Sequence, residues 1–377
     1  MNGGQKMKKI ITLLLALTLA AFTLVGCGSK GTSSTADVST TADVSATETP
    51  EKSDELVKVR VSTLAQQLSL PMYYIHEKGW DVENGFELEI TTFAQGTGIN
   101  EALGSGLVDI FTIGAAGISS CSVYDAEYLF SHEDSGAGQQ GMVRADSDIA
   151  NATGYLKDDP NLLGSPETIK GKTFLLPMGT GAQINVDTYL AKFGLTEDDV
   201  TLVNMDTAAG YQAFVSGEGD ICHTCYPTAD EFAPSEYVAA FSMNELEIPY
   251  YDNILASRAF YEDESKHDVL VALCEQIIRA AEDFKDDKVL MDTMMAWYDL
   301  NGQTCDADAI EHQVLERPFF TYDDLTTIDY TASFKMVAEF YASVGNITDE
   351  DLDTVNANID NTILNEALKA YKADYLK

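Results

Sequence analysis

One short run combines residue types that could hold a metal or carry out chemistry: Cys222-His223-Thr224-Cys225. Two thiolates and an imidazole are ligands that zinc prefers, so the run could serve a metal-dependent surface enzyme. A single C-x-x-C without a second pair is a weak metal signal; the thiols could also form a local disulfide or simply follow a strand. Nothing in the chain resembles a nucleophile elbow or a P-loop. We therefore predict no enzyme activity, no catalytic residue, no metal and no cofactor, and keep the metal-dependent enzyme as the alternative.

Two glycine-rich turns, residues 114–117 and 179–182, form a second feature with chemical potential. Each precedes a predicted helix, so free backbone N–H groups and the positive end of the helix dipole lie at the turn. Small residues there let a ligand approach the backbone closely. Such a turn could bind an anion. A single glycine-rich turn, however, is also a common connection between a strand and a helix.

The elements that position these residues alternate between strands and helices, which predicts an α/β protein. The first half of the pattern is read as strands at 57–61, 86–93 and 108–113, with helices at 71–78 and 97–103. The same order repeats, with strands at 173–176, 200–203 and 220–222, and helices at 182–193 and 208–215. From residue 268 onward the chain is mostly helical. We predict two lobes, each with a mixed, mainly parallel sheet flanked by helices, and a helical C-terminal region.

The predicted lobes are residues 57–143 plus 251–377 and residues 144–250, with hinge crossings near 142–145 and 250–255.

Ligands of open α/β sheets bind beyond the carboxyl ends of the strands. The predicted ligand-binding residues are Gln66, Gln67, Gly96, Ala115, Ala116, Gly117, Gly179, Thr180, Gly181, Asp206, His223, Thr224 and Tyr226. No arginine is expected at these strand ends; Arg60, Arg144, Arg258 and Arg317 are expected on strands or loops elsewhere. An anion would therefore depend on helix dipoles and neutral donors, and a neutral ligand stays open.

The N-terminus predicts export. Two lysines precede an apolar run at residues 10–24, which is typical of a signal peptide, and Gly26-Cys27 resembles the lipobox of bacterial lipoproteins. The resemblance implies a lipoprotein signal peptide over residues 1–26 and lipidation at Cys27; the alternative is a plain signal peptide with an incidental cysteine. Residues 27–56 are then the lipidated cysteine and a flexible, Ser/Thr-rich tether. The protein would be extracytoplasmic and bound to the cell membrane through lipid alone.

The formal net charge of -38 excludes several partners. Such a charge argues against nucleic acid and against direct docking on anionic lipid. Outside the leader, no apolar run approaches the roughly 20 residues that span a bilayer.

Several motifs, in order along the chain, resemble the substrate-binding proteins of ABC importers, in the sulfonate/nitrate/taurine-binding group. They are the run 71–80, Glu101-Ala102-Leu103 with Gly106 and Asp109, the run 169–173, Gly194-Leu195 before Asp199-Val200, and Gly217, Gly219 and Asp220 before Pro227. The resemblance implies the two-lobed type 2 periplasmic-binding fold and a monomer. Its implied partners are a small sulfonate-, nitrate- or taurine-like solute, a permease and its ATPase subunits. Related branches bind heteroaromatic thiamine precursors, which keeps such a ligand open, and in this family context the two glycine-rich turns are expected to contact ligand.

Overall fold

A computed structural model describes residues 56–303 and 307–376. The predictions for the leader, for Cys27 and for most of the tether lie outside the described residues, as does Cys305. None of the described helices combines the length and the apolar character that crossing a membrane requires.

The described part of the chain contains two five-stranded sheets. The strands are β1 (Val57–Leu64), β2 (Phe86–Phe93), β3 (Ile110–Ile113), β4 (Glu127–Asp134), β5 (Gln139–Arg144), β6 (Thr173–Leu176), β7 (Thr201–Asn204), β8 (Ile221–Cys225), β9 (Tyr237–Ser242) and β10 (Tyr251–Ala256). The first sheet has the order β2-β1-β3-β10-β4, and the second has the order β7-β6-β8-β5-β9. We call the parts built on these sheets the first half and the second half.

The two sheets share one topology. In each, a central strand pairs in parallel with two neighbours, and one strand runs against both strands beside it. The reversed strands are β10 and β5, and each is the strand that enters its sheet from the other half. The predicted duplication and the mixed, mainly parallel sheets are confirmed.

Helices flank both sheets and make up most of the C-terminal region. They are α1 (Leu70–Glu77), α2 (Trp80–Glu83), α3 (Gly96–Gly104), α4 (Gly117–Tyr124), α5 (Asp148–Asn151), α6 (Pro166–Ile169), α7 (Gly181–Lys192), α8 (Thr207–Val215), α9 (Arg258–Tyr261), α10 (His267–Asp283), α11 (Asp287–Leu300), α12 (Ala307–Glu316), α13 (Tyr322–Leu325), α14 (Ala332–Ser343), α15 (Asp349–Ala357) and α16 (Thr362–Tyr375). Gly79, with a φ of 70°, follows α1 in the left-handed region, where glycine carries no steric penalty.

Two large apolar cores hold these layers together. One packs α10, α11, α12 and α16 against the first sheet, with Trp297 fully buried in it. The other continues from the first sheet into the second, because Phe111 and Phe174 belong to the same cluster. The two halves are therefore joined by apolar contacts as well as by the chain.

The chain passes from the first sheet to the second at residues 135–138, between β4 and β5, and returns at residues 243–250. Both passages come earlier in the chain than the expected positions near 142–145 and 250–255. Residues 139–143 pair antiparallel with residues 221–225, which makes them part of the second sheet. A lobe boundary after residue 143 would thus cut through β5.

Candidate functional site

A cavity of about 200 Å³ lies between the carboxyl-end loops of the two sheets. Residues of both halves and of both passages between them line it. The polar and aromatic members include Gln66, Ser135, Gln139, Cys225, Tyr226, Tyr250, Asp252 and Arg317, and the small ones are Gly96, Gly114, Ala115, Ala116 and Gly138. A solute held there would touch both halves at once.

Five of the predicted ligand-binding residues line this cavity: Gln66, Gly96, Ala115, Ala116 and Tyr226. Four of them follow β1, β2 or β3, with Gly96 as the first residue of α3, and Tyr226 follows β8. Gly96 and Ala116 sit close together, because a Cβ on Gly96 would lie 2.8 Å from the Ala116 Cβ. Small residues there keep the cavity open.

The other predicted residues lie behind or away from the cavity. Gln67 is buried, and its Nε2 donates to the carbonyl of Arg317 at 2.6 Å. Gly117 begins α4 beneath Phe334. The exposed Asp206 caps α8 by accepting the N–H of Ala209.

The second glycine-rich turn caps its own helix. Thr180 accepts the N–H of Ala182 at α7, and the carbonyl of Gly179 accepts from Asn346 at 2.9 Å. A Cβ at Gly181 would lie 2.6 Å from the ring of Tyr250. These groups therefore meet partners in the protein itself, which leaves a ligand fewer backbone donors than the turn suggested.

Tyr250 connects the two glycine-rich turns. Burial raises the pKa of this phenol well above its usual value, and a backbone hydrogen bond from Ala115 opposes that rise. Its ring lies against Gly181 of the other turn. The turns thus approach each other through a tyrosine that lines the cavity, a residue that sequence reasoning missed.

Arg317 corrects the expectation that arginines lie away from the site. It follows α12, lines the cavity, and forms ion pairs with Glu133 at 2.7 Å and Asp252 at 3.2 Å. Burial raises the pKa of both carboxyls, and the guanidinium opposes that rise. A loop position far from the sheet strands in sequence gave no signal for this contact. The charge of Arg317 is already compensated inside the protein.

The Cys222-His223-Thr224-Cys225 run lies within β8. Successive side chains of a strand point to opposite faces of the sheet. Cys222 packs beside Gly210 of α8, whereas His223 lies 3.2 Å from the amide of Asn185 on α7. Burial lowers the pKa of His223 to about 3, so its imidazole is neutral.

These positions separate two of the expected zinc ligands. Cys222 and His223 face opposite sides of the sheet, so they cannot bind one ion together. Among residues 56–303 and 307–376, no group of three or more His, Cys, Asp or Glu side chains is arranged to hold a metal. Thr224 is buried, while Cys225 reaches the cavity with its thiol in free form.

The family is established by two comparisons. The model of the family described as NMT1/THI5 like matches residues 66–287. A Brachyspira hyodysenteriae protein, whose name describes an ABC transporter periplasmic binding protein, is 30% identical over 365 residues, or 96% of this chain and 100% of that one. The chain belongs to the NMT1/THI5-like family.

Solved structures share the fold. The periplasmic aliphatic sulphonate-binding protein of Escherichia coli aligns with a TM-score of 0.61 and 15% identity, over 79% of this chain and 91% of that one. The periplasmic nitrate-binding protein of Synechocystis aligns with a TM-score of 0.61 and 12% identity, over 85% and 90%. The periplasmic-binding fold indicated by the sequence motifs is confirmed.

Proposed function

We propose that this protein is the extracytoplasmic substrate-binding protein of an ABC importer. It captures a small solute in the cavity between the halves and delivers it to a permease driven by ATPase subunits. The cavity carries this proposal, because both halves line it and a bound solute would bridge them. Family membership and the 30%-identical relative support the same role. The activity is binding, without catalysis.

The charges around the cavity favour a neutral, heteroaromatic solute over a sulfonate, taurine or nitrate. Among the described residues that line it, Arg317 is the one arginine or lysine, and its charge is paired with Glu133 and Asp252. An anion would have to displace those carboxylates. Tyr226 and Tyr250 instead offer aromatic surface with a polar end, which suits a small heterocycle.

The cavity volume supports a small ligand. About 200 Å³ is below the roughly 300–1,000 Å³ of sites for drug-sized molecules. A pyrimidine of the thiamine-precursor type belongs to the class of small heteroaromatic solutes proposed here. A sulfonate, taurine or nitrate remains the competing ligand, supported by the sequence resemblance and by the names of the structural neighbours.

A thermal-shift panel separates these ligands. Pyrimidines, alkanesulfonates, taurine and nitrate would each be added to the purified protein. A ligand at 100 times its dissociation constant raises the free energy of unfolding by about 2.7 kcal/mol. We expect stabilisation by a pyrimidine and none by the anions. Stabilisation by a sulfonate alone would refute the ligand class but not the receptor role; no binding of any small solute would count against the role itself.

The halves act as lobes in this proposal, with the hinge at residues 135–138 and 243–250. A ligand that contacts both lobes favours the closed form by its differential affinity. Small-angle scattering should show a smaller radius of gyration with the stabilising ligand than without it. An unchanged radius would refute hinge closure.

The anchor completes the proposed role. Lipid on Cys27 would keep the receptor near its permease, and the Ser/Thr-rich tether would let it reach the membrane surface. The Cys27→Ser variant should move from the membrane fraction to the soluble fraction when both are assayed by immunoblot. Unchanged membrane association of the variant would refute the lipid anchor.

A further inference from the structure

The end of α12 lies where the two halves meet. Its apolar face belongs to the first half, because Ile310 and Val314 are buried in the core beneath the first sheet. Its polar side chains His312, Gln313 and Glu316 reach across to residues of the second half. The helix is therefore packed on one half and hydrogen-bonded to the other.

Tyr226 receives most of these contacts. Its hydroxyl donates to Oε2 of Glu316 at 2.8 Å, and Nδ1 of His312 lies 3.0 Å from the same hydroxyl. Beside it, Nε2 of Gln313 donates to Oδ2 of Asp230 at 2.6 Å. We call the contacts of Tyr226 and Asp230 with α12 the α12 clamp.

Arg317, the residue that follows Glu316, contacts the first half. Arg317 pairs with Glu133 and Asp252, on strands of the first sheet. Its carbonyl also accepts the side-chain amide of Gln67. Two consecutive residues, Glu316 and Arg317, thus hold the second and the first half respectively.

The same tyrosine forms part of the cavity wall. The Tyr226 side chain faces the cavity and also a groove of about 630 Å³ that contains His312 and Glu316. Gly138 leaves little room for it to move, since a Cβ there would lie 2.8 Å from the tyrosine ring. The clamp on the hydroxyl therefore determines where the ring stands in the cavity.

We propose that Glu316 is a positioning residue that acts through Tyr226 to favour the closed form of the cleft over the open form. Breaking the clamp removes the polar contacts that hold the second half against α12. This proposal goes beyond the receptor role. Its test requires no ligand, so the clamp can be refuted without refuting the receptor role, and the reverse.

Cys225 gives a direct measure of cleft opening. The residue Cys225 is partly buried and lines the cavity, whereas Cys121 and Cys274 are fully buried in the cores. Alkylation of the intact protein by iodoacetamide, followed by peptide mass spectrometry, gives the rates at Cys121, Cys225 and Cys274. A faster rate at Cys225 alone reports opening, and faster rates at all three report unfolding.

The test compares Tyr226→Phe and Glu316→Gln with matched controls. Tyr211→Phe removes a hydroxyl that bonds only to the Glu231 carbonyl of the second half, and Glu245→Gln removes a carboxylate from the same groove. A hydrogen bond to a charged group is worth enough for both clamp variants to label Cys225 at least about tenfold faster, which corresponds to about 1.4 kcal/mol. Both controls should label at the wild-type rate.

Each outcome decides the matter. Selective acceleration at Cys225 in both clamp variants supports the proposal. Rates within about twofold of wild type overturn it, as does equal acceleration at Cys121 and Cys274, because the contacts would then hold the fold rather than the cleft. If Tyr226→Phe does not fold, Glu316→Gln against Glu245→Gln answers the same question.

Discussion

Removing the positive charge of Arg317 should destabilise the protein strongly. Its side chain is 7% exposed, and its partners Glu133 and Asp252 are 0% and 7% exposed. Removing one member of a buried ion pair leaves an uncompensated charge and costs about 3–5 kcal/mol. We therefore expect Arg317→Met to lower the free energy of unfolding at pH 8 by about this amount.

The loss should depend on pH and on Glu133. Burial raises the pKa of Glu133 and the guanidinium of Arg317 opposes that rise, so removing the guanidinium should raise this pKa further. A folded-state carboxyl with a raised pKa contributes stability at low pH that is lost as pH rises. Arg317→Met should therefore cost less at pH 5 than at pH 8, and the double variant with Glu133→Gln should recover at least half of the loss.

Urea denaturation followed by tryptophan fluorescence measures these differences. Lys58→Met is the control, since its ion pair with Glu89 is exposed and should leave the unfolding transition unchanged. A loss below about 1 kcal/mol at pH 8 for Arg317→Met would show that Glu133 and Asp252 do not depend on the guanidinium. No recovery in the double variant would contradict the assignment of the cost to Glu133.

Two further predictions follow from other buried contacts. Burial raises the pKa of Glu127 to about 7, against the opposing effect of Arg258. Between pH 5 and pH 8, the free energy of unfolding of wild type should therefore fall by about 2 kcal/mol more than that of Glu127→Gln, as measured by urea denaturation. An equal pH response of the two proteins would contradict this. Gly181→Ala should weaken ligand binding at least tenfold, as measured by calorimetry, because the new Cβ would displace Tyr250. The control Gly210→Ala, whose Cβ would make only ordinary contacts, should bind like wild type. Equal affinities of the two variants would refute the role of Tyr250.

The strands and helices with regular patterns could be predicted from the sequence. Alternation in β1 and β2 and the glycine after α1 mark elements that the structure contains within a few residues. The strand β4 was missed because it is buried along almost its whole length yet contains acidic residues. Glu133 is tolerated there only because Arg317, far along the chain, pairs with it.

The site was predictable where it depends on local loops and not where it depends on long-range packing. Gln66, Gly96 and Ala115 follow strands and line the cavity. Arg317 and Tyr250 lie outside the loops that follow the predicted strands, and only the packing of the halves brings them to the cavity. The sequence could not indicate that Thr180 already caps the N-terminus of α7.

Native mass spectrometry of the purified protein tests the central claim most directly. After incubation with the pyrimidine and anion panel, wild type should carry one small solute per chain. Ala115→Phe, which fills the cavity, should carry none, whereas Ala209→Phe on the exposed face of α8 should bind like wild type. The same solute on Ala115→Phe, or none on wild type, would contradict a receptor that binds its solute between the two sheets.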